Sequence, residues 1–138
     1  MSNAENLVLR STPTSPFGRK VRMAIDVLGL SGRVKVTPAD PLDENDTLRQ
    51  QNPLGKMPCL VLADGSTIYD SGIIIEYLQD VAGTDRLLPL RGRDRYRMLT
   101  LTRLADGIMG EIHDVHNTEY QREARRHQRQ DHAGHDAI

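Results

Sequence analysis

The stretch LVLRSTPTSPFGRKVRMAIDVLG at residues 7–29 carries the strongest fold signal in the chain. Residues 7–10 are a short apolar run of the length of a buried strand, and a segment rich in Ser, Thr and Pro follows. Apolar side chains then recur with the period of an α-helix: Phe17, Val21, Ala24, Ile25 and Leu28. Gly29 ends the pattern, as glycine commonly does after the last helical turn. The stretch therefore predicts a strand at 7–10, a turn, and a helix at 16–28.

Outside this stretch the signals alternate between strand and helix. Three further short runs have strand character: 34–36, 59–62 and 67–69. Asp64-Gly65 between the last two runs is a hairpin turn signal. A short helix near Leu48 and an amphipathic helix at 71–81 complete the pattern. This order predicts a compact α/β unit in which helices flank a mixed four-stranded sheet.

The second part of the chain is predicted to be helical only at its start. An apolar helical stripe runs from about Asp94 to Ile112, and the residues after it are mostly polar. Such a segment buries too little surface to offset its ordering entropy, which predicts disorder or poorly packed helix beyond about His116. The predicted organisation has four parts: a flexible N-terminus at 1–6, an α/β domain at 7–82, a linker at 83–93, and a partial helical domain with a disordered tail at 94–138.

Composition and charge exclude several classes of protein. Eighteen Lys and Arg against nineteen Asp and Glu give a net charge of −1, whereas nucleic-acid binders need a cationic excess. No run is apolar enough for a membrane helix, and the first residues lack the pattern of a secretory signal. The single Cys excludes an intrachain disulfide framework. We therefore expect a cytoplasmic protein that binds neither nucleic acid nor membrane.

The histidines leave a metal site as an alternative to a solvated tail. His113 and His116 are three residues apart, as are His132 and His135, which is a spacing that helical metal ligands use. Metal sites also need ordered groups that orient the ligands, and the surrounding sequence offers none. We therefore predict no bound metal.

Three turns hold the candidate functional residues. Ser15 before Pro16 is typical of a helix N-cap, and its hydroxyl would also lie at the positive end of the helix dipole, where a thiolate is favoured. Asp70-Ser71 at the next helix start is again a cap, or a site for the ammonium and carboxylate of an amino acid. Met57 before Pro58 is a rigid loop, or, if their bond is cis, a backbone that turns its N–H and C=O towards an extended ligand.

Residues 7–90 resemble the N-terminal, thioredoxin-like domain of cytosolic bacterial glutathione transferases. The matching segments are STPTSPFGRKVR at 11–22, NPLGKMP at 52–58 and DSGIIIEYL at 70–78. The resemblance implies a thioredoxin-like sheet followed by an incomplete all-helical segment. It also implies glutathione as co-substrate with no separate cofactor, a small electrophile as second substrate, a detoxification role, and a homodimer.

The resemblance also implies roles for individual residues. Ser15 would polarise the glutathione thiol, with Ser11 as the runner-up. Met57, before a cis Pro58, would pair with the cysteinyl backbone. Lys56 would lie near the glycine end. The remaining glutathione-binding residues would be Phe17, Asp70 and Ser71, with the last two holding the γ-glutamyl end.

Two functions compete under this resemblance. The first is transfer of glutathione to a small electrophile. The second is a non-catalytic, glutathione-transferase-like binding or regulatory protein, because the helical domain of the family normally continues beyond the first helix. We expect a truncated or frame-shifted product to account for the tail. A thiol–disulfide oxidoreductase is disfavoured because Ser15 and Gly18 stand where two thiols would be required.

Overall fold

The computed structural model describes the backbone of residues 6–133 and the side chains to Val115, with those of Thr118 and Glu119. Its elements are β1 (Leu7–Arg10), α1 (Pro16–Val27), β2 (Val34–Thr37), α2 (Leu48–Gln51), β3 (Cys59–Val61), β4 (Thr67–Tyr69), α3 (Ser71–Ala82) and α4 (Arg93–Ala133). The sheet order is β2-β1-β3-β4, in which β1 and β2 are parallel and the other neighbours are antiparallel. The predicted mixed four-stranded sheet with flanking helices is confirmed.

The core is aliphatic, and it lies between the sheet and helices α1 and α3. Its buried side chains are Leu7, Leu9, Val21, Ile25, Leu30, Val34, Leu60, Ile74 and Leu78. Both faces of β1 are largely covered, which explains why Leu7, Val8 and Leu9 are apolar in succession instead of alternating with polar residues. Burial of each of these side chains stabilises the fold by roughly 1.5–3 kcal/mol.

Helices α1 and α3 begin and end at residues suited to these positions. Ser15 caps α1, and Pro16 follows in the first turn. Asp70 caps α3, and Gly83 ends it in the left-handed conformation that glycine adopts without steric cost. Because α1 and α3 both start directly after a strand or a short turn, their N-termini lie at defined positions beside the sheet.

The segment 84–92 between α3 and α4 is held by a buried amide. Gln79 is 2% exposed, and its Oε1 accepts hydrogen bonds from the Leu87 and Leu88 N–H groups at 3.1 and 2.7 Å. Its Nε2 donates to the Leu88 carbonyl at 2.7 Å. The predicted linker is thus fastened to α3 at this point.

Helix α4 extends beyond the apolar stripe that ends at Ile112. It runs from Arg93 to Ala133, past His116, beyond which the sequence predicts disorder or poorly packed helix. Residues 113–133 contain no Gly or Pro and are rich in Arg, Gln, Glu and Ala, so local helix propensity opposes the low burial on which the prediction rested. The predicted flexible N-terminus lies, except for Asn6, outside the described residues.

The chain divides into two compact units between Leu99 and Thr100, inside α4. Within the first unit, Arg95 in the first turn of α4 forms an ion pair with Glu76 and donates a hydrogen bond to the Pro89 carbonyl. In the second unit, the described part of α4 has an exposed apolar stripe: Leu101, Leu104, Ile108, Ile112 and Val115.

Candidate functional site

The three turns singled out in the sequence lie at one end of the sheet. Arg10 at the end of β1 pairs with Cys59 at the start of β3, and Cys59 pairs with Tyr69 at the end of β4. The residues that continue these strands past the paired positions are therefore neighbours: Ser11, Pro58 and Asp70. Tertiary pairing brings together segments that are far apart in sequence.

Ser15 caps α1 and keeps a free hydrogen-bond donor. Its Oγ accepts from the Gly18 N–H at 3.0 Å, which confirms the predicted cap. The residue is 9% exposed. Within the described part of the chain, its hydroxyl donates to no other atom. The proton of this hydroxyl is thus available to a ligand at the positive end of the helix.

Ser11 lies beneath the same helix start. It is 2% exposed, and its Oγ donates to the Thr12 carbonyl at 3.3 Å. A Cβ built on Gly18 would come within 1.9 Å of this Oγ, so the helix backbone sits directly on the hydroxyl. Between the two candidate hydroxyls, the geometry favours Ser15. Phe17, in the first turn, is partly buried.

The positive side chains of α1 hold the turn that leads into the helix. The Arg19 and Arg22 guanidinium groups both donate to the Pro13 carbonyl at 3.3 Å. Arg22 also reaches the Thr12 carbonyl at 3.5 Å. These contacts give the two arginines a structural role that their sequence position alone does not specify.

The second turn presents the backbone of Met57. The Met57–Pro58 peptide bond is cis, as the resemblance implies. No described residue hydrogen-bonds the N–H or the C=O of Met57. Lys56 is exposed beside it, and the Thr12 hydroxyl lies 3.4 Å from the Met57 sulfur. The first and second turns are thus in direct contact. The backbone N–H and C=O of Met57 have no hydrogen-bond partner among the described residues and are left for a ligand.

The third turn places a carboxylate and a hydroxyl at the start of α3. Asp70 Oδ1 accepts from the Gly72 and Ile73 N–H groups at 2.8 and 3.2 Å. Its φ of 73° is unusual for a residue other than glycine, and such backbone outliers cluster at functional sites. Asp70 is exposed, whereas Ser71 is 5% exposed.

A partly buried ion pair supports the loop that precedes the second turn. Arg10 is 8% exposed and donates to both carboxylate oxygens of Asp46, at 2.7 and 2.8 Å. It also donates to the Gln51 side chain at 3.0 Å. The pKa of the Asp46 carboxyl is lowered by hydrogen bonds from the Asp40 and Leu48 N–H groups and by the Arg10 guanidinium. In the sequence, the only indication of the contact between Arg10 and Asp46 is that Arg10 is a charged residue at the end of an otherwise apolar strand.

Cys59 is an internal thiol. It is fully buried, and burial raises the pKa of the thiol above its ordinary value. A buried protonated thiol is a poor nucleophile, so Cys59 packs as a small core side chain with Ala39 and Leu48.

A family model described as glutathione S-transferase, N-terminal domain, matches residues 9–86 of the chain. The chain belongs to the glutathione S-transferase family. It is 34% identical over 96 residues to the GST-like protein YibF of Escherichia coli strain K12, which covers 70% of this chain and 46% of that protein.

Solved glutathione transferases share the fold. A family member from Pseudomonas fluorescens Pf-5, solved with bound glutathione, has 40% identity and a TM-score of 0.70, covering 75% of this chain and 52% of that one. A glutathione S-transferase from Methylobacillus flagellatus, also with glutathione bound, has 32% identity and a TM-score of 0.68, covering 74% and 50%. The chain spans about half the length of these glutathione S-transferase relatives.

The findings on membrane helices and on metal ligands apply only to the residues that the structure describes. No helix among residues 6–133 is long and apolar enough to cross a membrane. Among the side chains that the structure describes, no group of three His, Cys, Asp or Glu is placed to hold a metal ion. The alternative metal ligands His116, His132 and His135 lie outside the residues whose side chains are described.

Proposed function

We propose that the chain binds glutathione and transfers its thiolate to a small electrophile. The observation that carries the proposal is the convergence, at one end of the sheet, of groups left without protein partners. These are the Ser15 hydroxyl proton and the backbone N–H and C=O of Met57. An extended peptide with a thiol in its middle matches this arrangement, and the glutathione-bound relatives support that choice.

Binding would combine strand pairing with charge recognition. The cysteinyl residue of glutathione would pair with the N–H and C=O of Met57 just before the buried Pro58, as peptides add to an exposed strand edge. Asp70 would accept from the γ-glutamyl ammonium, and Ser71 with the α3 N-terminus would bind its carboxylate. Lys56 would attract the glycine carboxylate. Phe17 would border the sulfur end of the ligand.

Catalysis would require only a lowered thiol pKa and correct placement. The Ser15 hydroxyl donates a hydrogen bond to the sulfur, and the α1 N-terminus favours the thiolate. The thiol proton leaves to solvent, and the sulfur lone pair then forms the bond to the electrophilic carbon. The bond from that carbon to its leaving group, the halide of an aryl halide, breaks, and the leaving group departs to solvent with the electron pair. Positioning and electrostatic stabilisation lower the barrier, so no covalent enzyme intermediate is needed.

The second candidate is a non-catalytic glutathione-binding or regulatory protein. The described part of the second unit consists of α4 alone, so the described residues offer little wall for an electrophile. The homodimer implied by the resemblance stays a prediction.

Titration calorimetry with glutathione, followed by turnover with a chromogenic aryl halide, tests the proposal. Binding together with turnover above the solution rate supports the transferase. Binding without turnover supports the second candidate instead. S-methylglutathione is the matched control ligand, since it keeps the peptide backbone and lacks the thiol. If neither peptide binds, both candidates are wrong.

A further inference from the structure

Asn52 organises the loop before Met57 through four hydrogen bonds. Its side chain accepts from the Leu54 N–H at 3.0 Å and donates to the Lys56 carbonyl at 2.8 Å. Its backbone carbonyl accepts from the Gly55 N–H at 2.8 Å, and its own N–H donates to the Leu48 carbonyl at 2.7 Å. The residue is 2% exposed. Residues 53–56 therefore form a loop around the buried Asn52, whose side-chain amide and backbone N–H and C=O are all hydrogen-bonded.

The bond to Lys56 also determines the direction of the Met57 N–H. The Lys56 carbonyl and the Met57 N–H belong to one peptide unit, which is planar, and the bond between these two residues is trans. In a trans unit the C=O and N–H point in opposite directions. When Asn52 holds the carbonyl inward, the N–H must therefore point outward, where no described residue accepts from it.

We infer that Asn52 is a positioning residue for glutathione, which aims the Met57 N–H at the cysteinyl carbonyl. This inference rests on the proposed function and deepens it. Without the amide, the Lys56–Met57 unit can rotate, and the N–H is no longer held in the direction that the ligand needs. Asn52 itself does not touch the ligand.

A structural role alone would make a different prediction, and Gln79 provides the comparison. Gln79 is also 2% exposed, also accepts from backbone N–H groups, and also donates to one carbonyl. It fastens the segment 84–92, away from the three turns. Replacing Asn52 removes two side-chain hydrogen bonds to the backbone and replacing Gln79 removes three, but only the Asn52 side chain holds the peptide unit that carries the Met57 N–H.

The test compares four full-length chains by calorimetry and thermal melting: the parent, Asn52→Ala, Asn52→Asp and Gln79→Leu. Asn52→Asp can still accept from the Leu54 N–H but, when ionised, cannot donate to Lys56, which isolates the relevant bond. The ligands are glutathione and γ-glutamylcysteine. The latter lacks the glycine end and so removes any contribution of the Lys56 side chain. The amide resonance of Met57 is followed by NMR without ligand.

We expect both Asn52 variants to bind each peptide about fivefold to tenfold more weakly, which is the loss of about one hydrogen bond. The Met57 amide resonance should shift in both, while Gln79→Leu should be less stable yet bind like the parent. Parental affinity in the Asn52 variants would overturn the inference and leave the proposed function intact. Equal weakening in Gln79→Leu would also overturn it, since general destabilisation would then explain the loss. A parent chain that binds neither peptide would instead refute the proposed function itself.

Discussion

Ser15 has two roles in our account, and substitutions can separate them. As an N-cap, its Oγ accepts from the Gly18 N–H at 3.0 Å. Ser15→Ala removes that bond and should cost about 1 kcal/mol of unfolding free energy. For a domain of this size the loss corresponds to a fall in melting temperature of roughly 3–6 °C. Ser15→Asp keeps a good cap, so its melting temperature should stay near that of the parent.

The same substitutions should affect the bound thiol differently. A hydrogen bond to a charged sulfur stabilises the thiolate by about 1.5–3 kcal/mol. Since one pKa unit corresponds to about 1.4 kcal/mol, its loss in Ser15→Ala should raise the pKa of bound glutathione by roughly 1–2 units. In Ser15→Asp the carboxylate adds repulsion, so the thiol pKa should rise at least as far although the fold is stable.

The assay is the ultraviolet absorbance of the thiolate of bound glutathione as a function of pH, measured beside thermal melts. Ser11→Ala is the matched control, because it removes the neighbouring buried hydroxyl and leaves the cap of α1 in place. A Ser15→Asp chain with undiminished thiolate absorbance would contradict the assignment of Ser15. The assignment would then pass to Ser11, the runner-up.

Three further outcomes are expected. Gly18→Ala should destabilise the fold by about 1–3 kcal/mol in urea unfolding, because its Cβ would come within 1.9 Å of Ser11 Oγ. The double variant with Ser11→Ala should recover part of that loss, since it removes the hydroxyl that the Cβ meets. Asp46 has a lowered pKa in the folded state, so its contribution to stability is present above its unfolded pKa and is lost as pH falls through the folded value. The free energy of unfolding of Asp46→Asn in urea should therefore fall less than that of the parent as the pH is lowered. An Asp46→Asn chain with the same acid dependence of stability as the parent would contradict the argument. Asn, like Asp, caps helices and tolerates positive φ, so Asp70→Asn should have the melting temperature of the parent. Calorimetry should show that it binds glutathione about tenfold more weakly, and equal affinity would remove Asp70 from the site.

The elements of the first unit could be predicted from the sequence, because their causes are local. Helix α1 could be predicted from its apolar period and from Ser15 and Pro16 at its start, and α3 from Asp70. The strand at 7–10 could be predicted because its continuous apolar run requires burial on both faces. Motifs in the three turns also indicated the family before any geometry was known.

Local signals were less informative where two of them disagreed. After Ile112 the polar composition left disorder and poorly packed helix as alternatives, and α4 continues to Ala133. Burial and helix propensity are separate contributions to the free energy, and a polar composition reports only the first of them.

The assembly of the site, by contrast, depends on tertiary contacts that could not be predicted from the sequence. The sheet register places the ends of β1, β3 and β4 together, and no local pattern specifies that pairing. The close approach of the Gly18 backbone to Ser11 and the 2.8 Å hydrogen bond from Asn52 to the Lys56 carbonyl depend on the directions of individual groups, which the neighbouring sequence does not specify. Hydrogen bonds are directional and short, whereas sequence patterns report only which face of an element is apolar.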